Sequence, residues 1–201
     1  ALSGKEEEAK HALLLSMALD KNVIDRTDFE VLQPAIDYYQ NHGTATDKLR
    51  THYYEGRIYQ NAGQGDLAMK SFIKAREVEG PITDTLTLGN LLVAQATYYY
   101  STYKVKEFIA NNQQAARLYE AIGHSYYQFR SLLNTLDGSI LNNDKPLADS
   151  ILTCCRSEIE KHPDYEASLL SYILSYTITF GSDEEIRTAI ESCLDKKNLS
   201  R

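Results

Sequence analysis

Side chains that could do chemistry are scattered along this chain. Five histidines occur, His11, His42, His52, His124 and His162. None stands in a His-Glu-x-x-His motif, and none is spaced from a cysteine as a zinc site requires. Structural or surface roles are therefore expected, and His42 and His162 fall near expected helix C-termini, where a partly positive ring suits the dipole. Gly63-x-Gly65 lacks the preceding strand and the lysine of a phosphate-binding loop, and there is no Gly-x-Ser-x-Gly elbow. The acidic runs Glu6-Glu7-Glu8 and Glu184-Glu185 read as dipole-favoured helix starts with solvated faces. Cys154 and Cys155 project about 100° apart on one helix and are poorly placed to pair with each other. Small apolar packing roles are expected for the cysteines, a bridge from either to Cys193 being the alternative. The expectation is a chain that is not an enzyme and holds no metal or cofactor.

Tyrosine is the unusual residue, with 15 copies against no tryptophan. It clusters as Tyr38-Tyr39, Tyr53-Tyr54, Tyr98-Tyr99-Tyr100 and Tyr126-Tyr127. Neighbours on a helix cannot all face one core, so some should reach a rim or groove, where tyrosine is an amphipathic contact residue. The plainer reading is that they fill gaps between helices with their hydroxyls in water.

The rest of the composition is that of a globular chain. Apolar residues make up 43% and charged residues 24% of 201 residues, enough to bury a core without disulfides or metals. The net charge is −7, and the longest basic run is Lys196-Lys197. A nucleic-acid partner is therefore not expected, because phosphate binding draws on a basic face. The uncharged stretch Ala167–Phe180 falls short of the roughly 20 apolar residues that span a bilayer and predicts a buried helix.

The elements are helical and repeat. Leu49–Glu79 holds two helical patterns around the turn Asn61–Asp66, with Asp66 a candidate cap of the second. Leu67, Ala68, Phe72, Ala75 and Val78 form one face of that second helix. Shifted by forty residues the unit recurs. The first helix reads Ser16, Gly56, Ala96 and Leu136, and one turn later Leu19, Tyr59, Tyr99 and Ser139. The second reads Leu32, Phe72, Asn112 and Leu152, then Ala35, Ala75, Ala115 and Cys155. A fifth pair fits with a slip of two at Ile186, Ile190 and Cys193. A small residue facing a large one lets two antiparallel helices approach, and one hairpin cannot bury its apolar face alone, so hairpins stack.

Glycine and proline stop signals near His42-Gly43, Gly80-Pro81, Gly123 and His162-Pro163 separate the hairpins. Breaks inside them fall near Asn22–Thr27, Gly63–Gly65, Ser101–Lys104, Asn142–Lys145 and Gly181–Asp183. Pro34 sits early in a second helix, where its missing N–H does least harm. The prediction is an all-α, α-α superhelix of about ten helices, one repeat domain over 1–201 with hairpins near 5–43, 46–80, 83–123, 125–162 and 164–197.

The unit Leu49–Glu79 resembles the tetratricopeptide repeat, through Gly56, Tyr59, Ala68, Phe72 and Ala75 with Gly80-Pro81 closing it. Ala96, Tyr99 and Ala115 repeat those positions. Phe108 stands where alanine is usual, Asn112 where an aromatic is usual and Glu55 where leucine is usual, and the period is 40 residues rather than about 34. The segment from Glu8 to Gly43, followed by Gly56-x-x-Tyr59, resembles bacterial envelope proteins with such arrays, some of them lipoproteins or sensor-associated. That resemblance implies a periplasmic or surface-anchored setting, with any membrane link through an anchor outside this chain.

The resemblance further implies a non-catalytic module that binds a protein or peptide in a groove lined by the first helix of each hairpin. Matching positions include Tyr53, Arg57, Asn90, Tyr100, Arg130 and Asn134, with Thr97 and Asp137 on the same face. Arg57, Asn90, Arg130 and Asn134 are similar to a groove that reads a peptide's terminal carboxylate. Two other classes fit the same sequence: a sensory input domain for a small ligand or glycan, which predicts a deep pocket between hairpins, and a structural spacer, which predicts a polar groove.

Overall fold

The computed structural model describes residues 4–199, and side chains as far as Glu191. Its regular elements are all helical: α1 (Gly4–Lys21), α2 (Gln33–Tyr39), α3 (Ala45–Asn61), α4 (Gly65–Arg76), α5 (Thr85–Ser101), α6 (Val105–Ala121), α7 (Ser125–Leu141), α8 (Lys145–Lys161), α9 (Glu166–Phe180) and α10 (Asp183–Leu199). A 3-10 turn at Pro163–Tyr165 leads into α9. The all-α class and the adjacent pairing of helices agree with the sequence. The chain divides into two compact units, Ala1–Thr102 and Tyr103–Arg201, where the sequence reads as one repeat domain. The segment 83–123 gives its first helix to one unit and its second to the other.

In the first unit α1 pairs with α2 and α3 with α4, and α5 lies against both α3 and α4. The centre is α3, which also meets α1, α2 and α5. Leu32, Leu49, Phe72 and Leu91 are fully buried around it. In the second unit α7 packs between α6 and α8, α9 covers α7 and α8, and α10 lies on α9. Phe129, Leu133, Leu136, Leu152 and Leu169 form its core.

The forty-residue register is visible in the packing. Leu32, Phe72 and Asn112 are each 0% exposed and Leu152 6%, while Ala35, Ala75, Ala115 and Cys155 are all at 0%. Gly56 explains how α3 and α4 come so close: a Cβ there would run into the Phe72 ring. Asn112, polar at a position where its counterparts are large and apolar, has both ends of its amide satisfied. It donates to the Phe108 carbonyl at 2.9 Å and accepts from Asn134 Nδ2 at 3.0 Å, so no desolvation penalty is left uncompensated.

The backbone repeats as well. The turns inside successive hairpins put Val23, Gly63, Tyr103 and Asn143 at φ values of 58°, 72°, 58° and 53°. These positions are forty residues apart. At three of them the following N–H reaches back five residues, from Ile24 to the Leu19 carbonyl, Gln64 to Tyr59 and Asp144 to Ser139, at 2.8–2.9 Å. That is the six-to-one bond of a Schellman cap. Its acceptors, Leu19, Tyr59 and Ser139, are the register positions one turn after Ser16, Gly56 and Leu136.

The second helix of the first hairpin begins at Gln33, with Pro34 in its first turn as the sequence predicts, and residues 28–32 between the break and α2 are not helical. Asp28 accepts from the Glu30 N–H at 3.1 Å and from Arg26 at 2.7 Å, a local arrangement that competes with helix. Asp66 does not cap α4, whose N-cap is Gln64 without a side-chain bond. Its carboxylate accepts from the Tyr98 hydroxyl at 2.7 Å instead, tying α4 to α5. Side-chain caps occur elsewhere, at Thr44 with Asp47 and at Asp84 and Asp144.

Cys154 is an exposed and Cys155 a buried free thiol, and Cys193 lies outside the described side chains. No helix among the described residues is long and apolar enough to cross a membrane.

Candidate interaction surface

The residues expected to line a groove divide between the two units and differ in what they offer. Tyr53 is corrected: it is 4% exposed, packed near Phe72 and edge-on to Tyr54 at 4.8 Å. Tyr54 is buried too, at 8%. Because α3 has neighbours on several sides, two side chains about 100° apart both find cover. Burial raises the Tyr54 phenol far above its ordinary range, which keeps it neutral.

Arg57 is half-buried and already engaged: Nε donates to Asp20 at 3.3 Å and Nη1 to Gln60 at 2.6 Å. The cleft it lines with Asp20, Arg26 and Tyr54 has a free volume of about 20 Å³, on the order of a single water. Arg50, one turn before Tyr53, pairs with Asp84 at 2.6 Å. Arg57 thus ties α3 back to α1 and Arg50 ties it forward to the N-terminus of α5. Asn90 is half-buried on α5, and Tyr100 is 48% exposed at its C-terminal end. In the second unit Arg130 is exposed on α7. Asn134, one turn on, is turned toward the buried Asn112. Burial pushes the half-buried Asp137 carboxyl above its ordinary value.

A continuous aromatic array lies in the second unit, around the turns that precede α7 and α9. His124 stacks on Tyr127 with ring centres 4.1 Å apart. Tyr127 meets Tyr126 at 5.8 Å, Tyr126 meets Tyr165 at 6.0 Å, and Tyr165 stacks on His162 at 4.9 Å. Five rings form a continuous arc with an imidazole at each end. Two further rings root it: Tyr119, 2% exposed, beneath Tyr127, and Phe129, 1% exposed, stacked on Tyr165. Tyr126 and Tyr127 remain 50% and 39% exposed.

The local sequence explains the arc. His124 is the first residue after the left-handed Gly123, and its N–H bonds the Tyr119 carbonyl at 2.8 Å, which fixes where its ring starts. Tyr127 follows three residues later, one helical turn on the same face. His162 caps the end of α8, and the 3-10 turn returns Tyr165 over it. The same pairing occurs once in the first unit, where His42 stacks on Tyr38 at 4.6 Å. Sequence reading singled out the Tyr126-Tyr127 doublet but not the histidines beside it. The signal that was available is a histidine at a hairpin end with a tyrosine three or four residues away, present three times.

Exposed aromatic residues held rigidly, as Tyr126 and Tyr127 are, offer contact area at small entropic cost, and an aromatic quadrupole attracts cations. Among the described residues no group of His, Cys, Asp and Glu side chains could hold a metal ion. Compared with known proteins, the chain matches no family model, no curated protein and no solved structure.

Proposed function

We propose that this protein is a non-catalytic interaction module, a tetratricopeptide-like helical array of a bacterial envelope protein, which holds a peptide or protein partner against the aromatic arc of its second unit. The observation that carries the reading is the arc itself: two tyrosines about half exposed within a continuous run of five rings, anchored from below by two buried ones. Exposed aromatic rings held rigidly in this way are the side chains that dominate binding energy at protein interfaces. The seating of Phe72 on Gly56 supports the tetratricopeptide resemblance, and the envelope setting rests on the resemblance of the first hairpin. In this reading Arg57 and Tyr53 hold the first unit together, and the exposed Arg130 stands one turn after Tyr126 on α7.

The test is retention of partners from an envelope extract by the purified chain, compared with Tyr126→Ala/Tyr127→Ala. Both residues are exposed enough for the variant to keep its fold, which circular dichroism checks. A protein held by the wild type and lost by the folded variant is the expected result. Equal retention by both refutes the assignment of the contact face.

A further inference from the structure

The segments that carry the arc are net acidic. Residues 119–130 contain Glu120 and the exposed Arg130, and residues 160–166 contain Glu160, Lys161, Asp164 and Glu166. Of the two cations, Lys161 has its ammonium bonded to Glu158 at 2.7 Å. The four carboxylates are exposed, and none of them forms a salt bridge among the described residues. Asp164 and Glu166 flank Tyr165 along the chain, and Glu160 stands two residues before His162. Glu158, and to a lesser degree Glu120 and Glu160, hold the Lys161 ammonium above its ordinary pKa.

The second unit shows elsewhere what such an arrangement accepts. Lys145 Nζ lies 5.4 Å from the centre of the Tyr176 ring and 6.0 Å from that of Phe180. The same ammonium bonds Asp149 and the Tyr176 hydroxyl at 3.0 and 2.9 Å. The ammonium therefore sits at the hydroxyl end of Tyr176 beside a carboxylate, so lysine, tyrosine and aspartate already meet inside this unit. At the arc the exposed carboxylates outnumber the cations, four to two, and one of those cations, Lys161, is already paired.

We infer that the partner segment is basic: a lysine- or arginine-bearing peptide whose cationic side chains lie against Tyr126 and Tyr127 while Glu160, Asp164 and Glu166 neutralise them. The inference rests on the arc being the contact face. Ring faces supply attraction that an aliphatic surface cannot, and the surrounding negative charge raises the encounter rate of a basic segment and repels an acidic one.

The experiment titrates the full chain with three fluorescent ten-residue peptides: alternating Lys-Ala, alternating Glu-Ala, and a neutral proline-rich sequence. Two variants accompany it. Tyr126→Leu/Tyr127→Leu removes ring faces at constant charge, and Glu160→Gln/Asp164→Asn/Glu166→Gln removes charge with the rings kept. The Lys-Ala peptide is expected to bind alone among the three, and each variant to weaken it by roughly threefold to tenfold. A neutral peptide that binds as tightly, and is lost with the rings, overturns the cationic partner but leaves the contact face standing. Lys-Ala binding that survives the leucine variant and fails only in the neutralised one overturns the inference, because attraction to bulk charge then suffices. Binding of every peptide insensitive to the leucine variant, or no binding at all, overturns the contact face as well.

Discussion

Replacing Gly56 by alanine sets two effects of known size against each other. The position is interior to α3, so the substitution should gain about 1 kcal/mol from helix propensity. The added methyl, however, would run into the Phe72 ring, and that ring is 0% exposed, so it must shift within the core to make room. Overpacking of this kind costs about 1–3 kcal/mol. The expected net result is destabilisation of up to about 2 kcal/mol. Phe72→Leu alone leaves a gap and should also destabilise, but in the double variant the smaller side chain makes room for the methyl. The pair should therefore be less destabilising than the sum of the two singles, by at least about 0.5 kcal/mol. Urea unfolding followed by far-ultraviolet circular dichroism measures all four corners of the cycle. A stabilising Gly56→Ala, or strict additivity, would refute the claim that glycine at this position sets how close α3 and α4 come.

Other expectations follow from the turns, the caps and the thiols. Val23 is β-branched at φ 58° and 83% exposed, so Val23→Gly relieves backbone strain with no packing lost and should raise stability by about 0.5–1 kcal/mol, read from the same urea curves. Burial opposes ionisation of Asp84, but hydrogen bonds from Thr87 and Arg50 outweigh it and hold the carboxyl below its ordinary value. Its contribution is therefore present above the unfolded pKa of about 4 and is lost as pH falls through the lower folded value. Melting temperature should drop between about pH 5 and pH 3, and drop less in Asp84→Asn, which keeps the cap but not the charge. Burial pushes the Cys155 thiol up to about 12, whereas Cys154 is exposed. Iodoacetamide at pH 8 should therefore modify Cys154 in the native protein and Cys155 only after unfolding, as peptide mass spectrometry reads.

Much of the fold was legible because its signals are local. Glycine and proline marked the hairpin ends, Pro34 stands in the first turn of α2, and the periodicity picked out Phe72, Ala75 and Ala115, all fully buried. What stayed hidden depends on partners brought from elsewhere in the chain. Asp28 diverts the backbone before α2 through a bond to Glu30 that no helical pattern reveals. Tyr53 and Tyr54 read as one core residue and one rim residue, yet α3 has enough neighbours to bury both. Asp66 looked like a cap until the fold supplied the Tyr98 hydroxyl. The arc was half legible: the Tyr126-Tyr127 doublet is plain, but Tyr165 joins it across nearly forty residues of sequence, through the 3-10 turn after α8.

The contact face can be tested most directly by site-specific photocrosslinking, with a photoreactive benzoylphenylalanine placed in turn at Tyr126, at Tyr100 and at Leu141, all exposed side chains. One and the same partner should be trapped from position 126, and only weakly or not at all from Leu141. Trapping from Tyr100 or Leu141 with none from Tyr126 would contradict the account.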